Sequence, residues 1–147
     1  MSRIRRLLTI LLCITVTLLL ALPPGLYWLG LSGVDGVPEK PLQLASKEQQ
    51  ALVWKRAHGN GVPRIAAINP YSFAMTLLVK KDPGVDPEQL IVWWVAADYL
   101  ISQQRHKGMN WWHLSGAALA IWLSRHWTQE DILSAAVAAS KYREQAS

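Results

Sequence analysis

The sequence predicts an all-α protein in which an N-terminal transmembrane helix is followed by a small domain of about five helices. A long uncharged, apolar segment follows the N-terminus, and no later segment alternates polar and apolar residues as a surface strand does. The later apolar stretches also begin at helix-capping residues. At 147 residues, the chain has room for one domain with a modest core beyond the N-terminal segment.

The N-terminal segment is long and apolar enough to cross a membrane. No charged residue occurs from 7 to 34, and a spanning helix needs roughly 20 predominantly apolar residues. We expect residues 1–6 to be a basic cytoplasmic flank and residues 7–28 to be the anchor, because cationic residues beside a span stay on the cytoplasmic side. The protein is then a single-pass protein of a bacterial inner membrane, with its C-terminal domain on the extracytoplasmic, periplasmic side.

A cleaved signal peptide is the alternative interpretation of the same segment. The end of the apolar run, Leu19 to Pro24, has leucines where signal peptidase requires small side chains. The next residues include Tyr27 and Trp28, which suit the aromatic belt at a membrane surface. We therefore expect an uncleaved anchor, and cleavage would still leave a secreted helical domain.

The remaining chain divides into a linker, residues 29–45, and a helical domain, residues 46–147. Glycines and prolines dominate the linker and prevent a helix there. Within the domain, the helices are predicted at residues 46–57, 71–80, 86–101, 111–125 and 128–143. The third of these is apolar on nearly every face and too short to span a bilayer, so we expect it to be the core helix.

Four capping signals set the starts of the predicted helices. Ser46 with Gln49 forms a capping box, and Thr128 with Asp131 has the same spacing. Asp86 is a predicted N-cap that is followed by a proline at the first helical position. Asn110 is a candidate N-cap for the helix that follows it.

Charge and cysteine usage exclude several classes of function. Three of the fifteen Lys and Arg residues precede the apolar segment, which leaves twelve against ten Asp and Glu. This mixed surface argues against a nucleic-acid partner. The single cysteine, Cys13, lies in the apolar segment and excludes an intramolecular disulfide and a Cys-based metal site. The histidines lack metal-site spacing, so we expect no metal and no cofactor.

The stretch from His113 to Leu133, HLSGAALAIWLSRHWTQEDIL, resembles a segment of the bacterial peptidoglycan glycosyltransferases. This family includes the transglycosylase domains of class A penicillin-binding proteins and the monofunctional transglycosylases. Leu100 to Gln104 is similar to the tail of the family's Gly-Gly-Ser-Thr-Ile-Thr-Gln-Gln motif. The resemblance covers roughly residues 98–138. It implies a lysozyme-like, orthogonal helical domain outside the membrane.

The family's catalytic residues have no counterpart in this chain. The Glu-Asp-x-x-Phe-x-x-His stretch does not occur between Leu52 and Leu100, and the second family glutamate falls on Gly116. Transglycosylation needs a carboxylate base and cations that hold a diphosphate leaving group. The resemblance therefore implies a degenerate or truncated relative without catalytic activity.

Two carboxylates are the candidate catalytic acids if the chain is nevertheless an enzyme. Asp98 lies in an otherwise apolar helix, where a buried carboxylate needs a partner, although a structural ion pair or an exposed helix edge explains it as well. Glu88 is ten positions earlier on the same helix, about 15 Å away along its axis. The two do not form a glycosidase-type carboxylate pair on that helix.

The candidate ligand-binding residues follow the core helix. They combine amides, cations and an adjacent tryptophan pair, and they are Gln103, Gln104, Arg105, Lys107, Trp111 and Trp112. Exposed tryptophans stack on sugars, enter a membrane interface or dock a partner, whereas buried ones belong to the core. The cations could face a lipid diphosphate or form a solvated loop.

The sequence therefore leaves three functions open. The first is a non-catalytic membrane-anchored domain that binds a peptidoglycan-related glycan, a lipid-linked precursor or another inner-membrane protein. The second is a divergent active peptidoglycan glycosyltransferase, and the third is an unrelated scaffold or accessory subunit of an envelope complex. If the chain is an enzyme, we expect an acid with a strongly shifted pKa in a cleft. If it is a glycan binder, we expect an open groove, and if it is a scaffold, we expect an apolar surface patch.

Overall fold

The computed structural model describes residues 3–71, 86–103 and 108–145, with the side chains of 140–145 excepted. These residues form five helices and no strand, which confirms the predicted all-α class. The helices are α1 (Arg3–Leu31), α2 (Lys47–Arg56), α3 (Pro87–Ser102), α4 (Met109–His126) and α5 (Gln129–Gln145). The helix predicted at residues 71–80 lies, except for its first residue, outside the described residues.

Two of the four capping signals are confirmed. The Ser46 side chain accepts a hydrogen bond from the Gln49 backbone N–H while the Gln49 side chain accepts one from the Ser46 N–H. At the start of α5, the Thr128 N–H donates to the Asp131 carboxylate (2.9 Å) and the Asp131 N–H donates to the Thr128 hydroxyl (3.2 Å). These reciprocal bonds satisfy backbone donors that a helix leaves open at its first turn.

Of the other two starts, the one at Asp86 and Pro87 is confirmed in position but not in its capping bond, and the one at Asn110 is wrong. Asp86 is the N-cap of α3, with Pro87 at the first helical position, but its side chain makes no capping bond and instead accepts a 3.4 Å hydrogen bond from Gln89. The α4 helix begins at Met109, before Asn110, and its N-cap is Gly108. Gly108 has φ of +93°, a backbone conformation that residues with a Cβ rarely adopt. The glycine therefore sets the start of α4.

The α1 helix has two parts with different surroundings. It is the one helix among the described residues that is long and apolar enough to cross a membrane, and its most apolar stretch is not buried by the rest of the chain. Residues 7–22 are exposed throughout. From Pro23 onward the helix becomes partly covered, and it ends at Leu31, three residues beyond the end of the predicted anchor.

The C-terminal part of α1 packs directly on α4 through glycines. A Cβ added at Gly30 would lie 2.6 Å from the Ala118 Cβ and from the Leu114 carbonyl oxygen. One added at Gly33, just after α1, would contact the Ser115 hydroxyl. The absent side chains let the two backbones approach closely, so α1 continues into the domain without a flexible hinge at residue 29.

The core lies between α3 and its neighbours α4 and α5. Helix α3 buries residues on most of its faces, which matches its uniformly apolar sequence. Against α4, the Trp93 indole covers Gly116, where an added Cβ would lie 2.7 Å from the ring. Fully buried leucines and isoleucines complete the core: Ile91, Leu119, Leu123, Ile132 and Leu133.

Two extended segments cross the helices and are held by helix side chains. The first, residues 32–45, is fixed where the Tyr99 hydroxyl donates to the Asp35 carbonyl (2.9 Å) and where the Ala45 N–H donates to the Ser134 hydroxyl (2.9 Å). We call residues 32–45 the strap. Because these contacts are to single side chains rather than to a backbone ladder, the strap follows the helix surface without forming a strand.

The second extended segment runs from residue 59 to 69. Its backbone N–H groups at Ile65 and Ile68 donate to Gln129 (3.1 Å) and Ser124 (2.9 Å). The Arg125 Nε donates to the Ile68 carbonyl (3.2 Å). These bonds place the segment at the junction of α4 and α5.

Contacts along α1 define two ends of the domain. Gly30 lies against Ala118, in the middle of α4, whereas Gly33, farther along the chain, lies beside Trp111 near the start of α4. Helices α1 and α4 are therefore antiparallel. We call the end at Arg125 the base of the domain, because it faces the exposed part of α1, and the end at Met109 the far end.

Candidate functional site

Asp98 lies on the rim of an open groove of about 310 Å³ between α3, α5 and the strap. Its side chain is exposed, so the carboxylate of the apolar core helix points away from the core. The polar residues that line the groove with it are Glu39, Gln43, Tyr99, Ser102 and Ser134, and the apolar ones are Pro38, Pro41, Val95, Trp127, Ala135 and Ala138.

The strap forms one wall of the groove and is fixed by an ion pair. The Lys40 Nζ lies 2.7 Å from an Asp131 carboxylate oxygen, and the Asp131 side chain is only 13% exposed. Burial would raise the pKa of Asp131, but the hydrogen bonds from Lys40 and Thr128 outweigh burial and hold the pKa below its usual value. Asp131 therefore remains ionised and holds both the strap and the start of α5.

The charge of the groove suits a ligand rich in hydroxyl groups better than a diphosphate. Its lining has two carboxylates, Glu39 and Asp98, and no lysine or arginine among the described residues that form it. Carboxylates and the Gln43 amide oxygen accept hydrogen bonds from hydroxyl groups, whereas phosphate oxygens need donors and cations. The arrangement can therefore bind a sugar but does not provide a site for a phosphoryl leaving group.

Glu88, the other candidate acid, lies at the opposite end of α3 from Asp98. Its carboxylate accepts a 3.1 Å hydrogen bond from the Ala66 N–H and holds the second extended segment. Glu88 does not line the groove. The structure thus gives the two carboxylates separate surroundings and does not bring them together at one reacting bond.

The candidate ligand-binding residues are divided between the far end and the part of the chain outside the described residues. Gln103 is half-buried and its amide bonds the strap: the Asp35 N–H donates to its Oε1 (3.2 Å) and its Nε2 donates to the Asp35 carbonyl. Gln104, Arg105 and Lys107 lie outside the described residues. Gln103 thus has a structural contact that the sequence did not predict.

The two tryptophans of that set are half-buried against neighbours. Trp111 lies beside Gly33. Trp112 meets Trp93 edge to face, with ring centroids 5.4 Å apart. Neither lines the groove, so they pack the α1–α4 and α3–α4 contacts at the far end.

His113 and His126 each make contacts with tryptophan rings. His113 stacks on Trp93 at 6.1 Å between ring centroids, and His126 stacks on Trp122 at 4.4 Å. Within the part of the chain that the structure describes, no group of three or more His, Cys, Asp or Glu side chains could hold a metal ion.

Sequence reasoning found one residue of the groove and missed the rest. Asp98 is recognisable in the sequence as the charged residue of an apolar helix. Glu39 and Gln43 belong to the strap, and the sequence predicts only a linker there. The signal available was the pair of prolines at 38 and 41, which stiffen an extended segment without revealing which helices it crosses.

No family model, no curated protein and no solved structure matches the chain. Function is therefore inferred from the groove and the anchor.

Proposed function

We propose that this chain is a single-pass protein of the bacterial inner membrane whose extracytoplasmic domain binds the glycan of the cell wall without reacting with it. The similarity of residues 98–138 to peptidoglycan glycosyltransferases is part of the proposal, as a kinship in which binding persists and catalysis is lost. The observation that carries it is the open groove beside Asp98, with its carboxylate and amide lining.

The membrane assignment is supported by α1. Sixteen exposed and mainly apolar residues, 7–22, follow three arginines and extend away from the folded domain. Arginines ahead of a span favour a cytoplasmic N-terminus. Since the groove lies among residues that follow α1, it then faces the compartment that contains the cell wall.

The separate positions of Asp98 and Glu88, the two candidate catalytic acids, support binding over chemistry. Asp98 is exposed in the groove. Glu88 lies about 15 Å from Asp98 along α3, toward the start of the helix, and accepts a hydrogen bond from the Ala66 backbone N–H. The structure does not place Glu88 across a reacting bond from Asp98, as a glycosidase-type pair would require. In the groove, the Asp98 carboxylate is available as a hydrogen-bond acceptor for sugar hydroxyls.

The experiment that tests the proposal is co-sedimentation of the full-length protein, in detergent, with isolated peptidoglycan. Asp98→Asn and Gln43→Ala are compared with Glu48→Gln. This control removes one negative charge from an exposed position on α2 that does not line the groove. We expect saturable binding that falls at least fivefold with each groove variant and does not change with Glu48→Gln.

A second arm adds the soluble head of the lipid-linked precursor, which carries the diphosphate. Preference for this molecule over the polymer would contradict the assignment based on groove charge. Product formation from the intact precursor would overturn the non-catalytic function. Failure to bind either molecule would reject glycan binding and favour a membrane-protein partner.

A further inference from the structure

For the proposed anchoring of α1, the contacts that the domain makes with this helix limit its depth in the bilayer. Residues 6 to 23 rise by about 26 Å along a helix, close to the roughly 30 Å hydrocarbon thickness of a bilayer. Placed in this way, Arg6 lies at one boundary and Pro23 at the other. Long arginine side chains reach the cytoplasmic surface and compensate for the small difference in length.

The alternative boundary at Trp28 is inconsistent with Arg125. Gly30 of α1 packs on Ala118, and Arg125 follows Ala118 by seven residues, about 10 Å along antiparallel α4 toward the exposed part of α1. A boundary at Trp28 would therefore put a guanidinium inside the hydrocarbon layer. With the boundary at Pro23, Trp28 lies about 7 Å above it and Arg125 lies close to the boundary itself, in the interface where tryptophan and arginine are both favourable.

Tyr71 contacts α1 close to this boundary. Its hydroxyl donates a 2.9 Å hydrogen bond to the Leu20 carbonyl of α1. Pro24 has no N–H and cannot donate to that carbonyl, its partner in a regular helix. Leu20 precedes Pro23 by three residues, about 4–5 Å, so the contact of Tyr71 with α1 lies near the boundary at Pro23.

We propose that the base of the domain rests in the lipid headgroup layer and that Arg125 binds a lipid phosphate there. Arg125 is exposed, and among the described residues its guanidinium hydrogen-bonds through Nε, to the Ile68 carbonyl, which leaves the two terminal nitrogens to face phosphate oxygens. The nearby acids Glu130 and Asp131 are each paired with a lysine. The inference rests on the proposed membrane anchoring of α1.

The experiment measures depth by fluorescence quenching in lipid nanodiscs that contain phosphatidylglycerol. In a Cys13→Ser background, a small fluorophore is attached at Trp28→Cys, at His126→Cys at the base, or at Met109→Cys at the far end. The quencher is a lipid with a nitroxide on its headgroup. We expect strong quenching at 28 and 126, at least threefold greater than at 109.

Adding Arg125→Gln to the His126→Cys protein is expected to halve the quenching at 126 and leave the quenching at 28 unchanged. Quenching at 28 but not at 126 would reject the inference while leaving the anchor intact. Quenching at neither position would reject the anchor itself. An Arg125→Gln protein with unchanged quenching at 126 would overturn the assignment of Arg125 as the phosphate ligand.

Discussion

At Asp131, one carboxylate holds both the first turn of α5 and the strap that walls the groove. The Lys40 bond fixes the strap and the Thr128 bond closes the helix cap. Loss of either partner would leave a carboxylate with little exposure and fewer donors around it. The shape of the groove therefore depends on the ionisation of a residue that does not line it.

The first prediction concerns this carboxylate and acid. Because the pKa of Asp131 is lower in the folded chain than its ordinary value of about 3.9, its contribution to stability is present above that pH. The contribution is lost as the pH falls through the folded pKa. We expect Asp131→Asn to lower the free energy of unfolding by about 1 kcal/mol at pH 7, and by progressively less below pH 4.

Chemical unfolding at several pH values checks this, with Glu130→Gln as the control. Glu130 pairs with Lys47, but both side chains are largely exposed, so its removal should change stability little. An Asp131→Asn effect that does not shrink in acid would show that the carboxylate acts through packing rather than charge.

The second prediction concerns Gly30. Alanine there would bring a methyl group 2.6 Å from a backbone carbonyl of α4, which cannot rotate away. We expect Gly30→Ala to lower stability by about 1–3 kcal/mol, despite alanine's better helix propensity. In Gly25→Ala, the added methyl group meets nothing within 4 Å, so this control should be neutral or stabilising. Thermal unfolding in detergent distinguishes the pair, and equal effects would mean that α1 does not dock on α4.

At the scale of elements, sequence and structure agree where local signals decide the outcome. The capping boxes at Ser46 and Thr128 predict the starts of α2 and α5, because they need only residues three apart. The predicted start of α4 was wrong, because the N-cap is Gly108. A search for capping side chains does not find a glycine that supplies a positive φ.

Long-range contacts explain most of what the sequence could not predict. The strap reads as a linker, since its prolines and glycines exclude a helix, but the partners that order it lie far along the chain, as in the Ala45–Ser134 bond. The groove was hard to predict for the same reason. Asp98 is identified from the pattern of its own helix, whereas Glu39 lines the groove only because of the path that the strap takes.

The third prediction tests the hydrogen bond between Tyr71 and α1. Tyr71→Phe should lower stability by about 1 kcal/mol, because the Leu20 carbonyl loses its donor. In a Pro24→Ala background, the backbone N–H restored at position 24 can bond that carbonyl, so we expect Tyr71→Phe to cost less there. A double-mutant cycle in detergent measures the coupling. Equal effects in both backgrounds would contradict the role given to Pro24.

At the scale of the whole molecule, the anchor and the domain share residues. The part of α1 from Pro23 to Leu31 covers α4, while the part before it is exposed. A division of the chain into anchor, linker and domain does not describe this continuity. The apolar pattern alone could not reveal it, because a spanning helix and a docked helix have similar composition.

The fourth prediction follows from that continuity. A chain that begins at residue 19 should fold as stably as the full-length protein, because it keeps the docked part of α1 and the Leu20 carbonyl that accepts the Tyr71 bond. A chain that begins at residue 32 should lose about 2–3 kcal/mol and melt about 10 °C lower, since α4 loses its apolar cover. Circular dichroism and dye binding to apolar surface compare the two. Equal melting temperatures would show that the docked part contributes nothing.

The docking of α1 on α4 also has a consequence for biogenesis. The ribosome releases α1 first, whereas its partner Ala118 emerges 88 positions after Gly30, about 4–18 s later at ordinary synthesis rates. Throughout that interval, the turns of α1 from Pro23 to Leu31 lack the α4 surface that they finally contact. The docking of α1 thus waits for the synthesis of α4, and the later helix completes the packing of the earlier one.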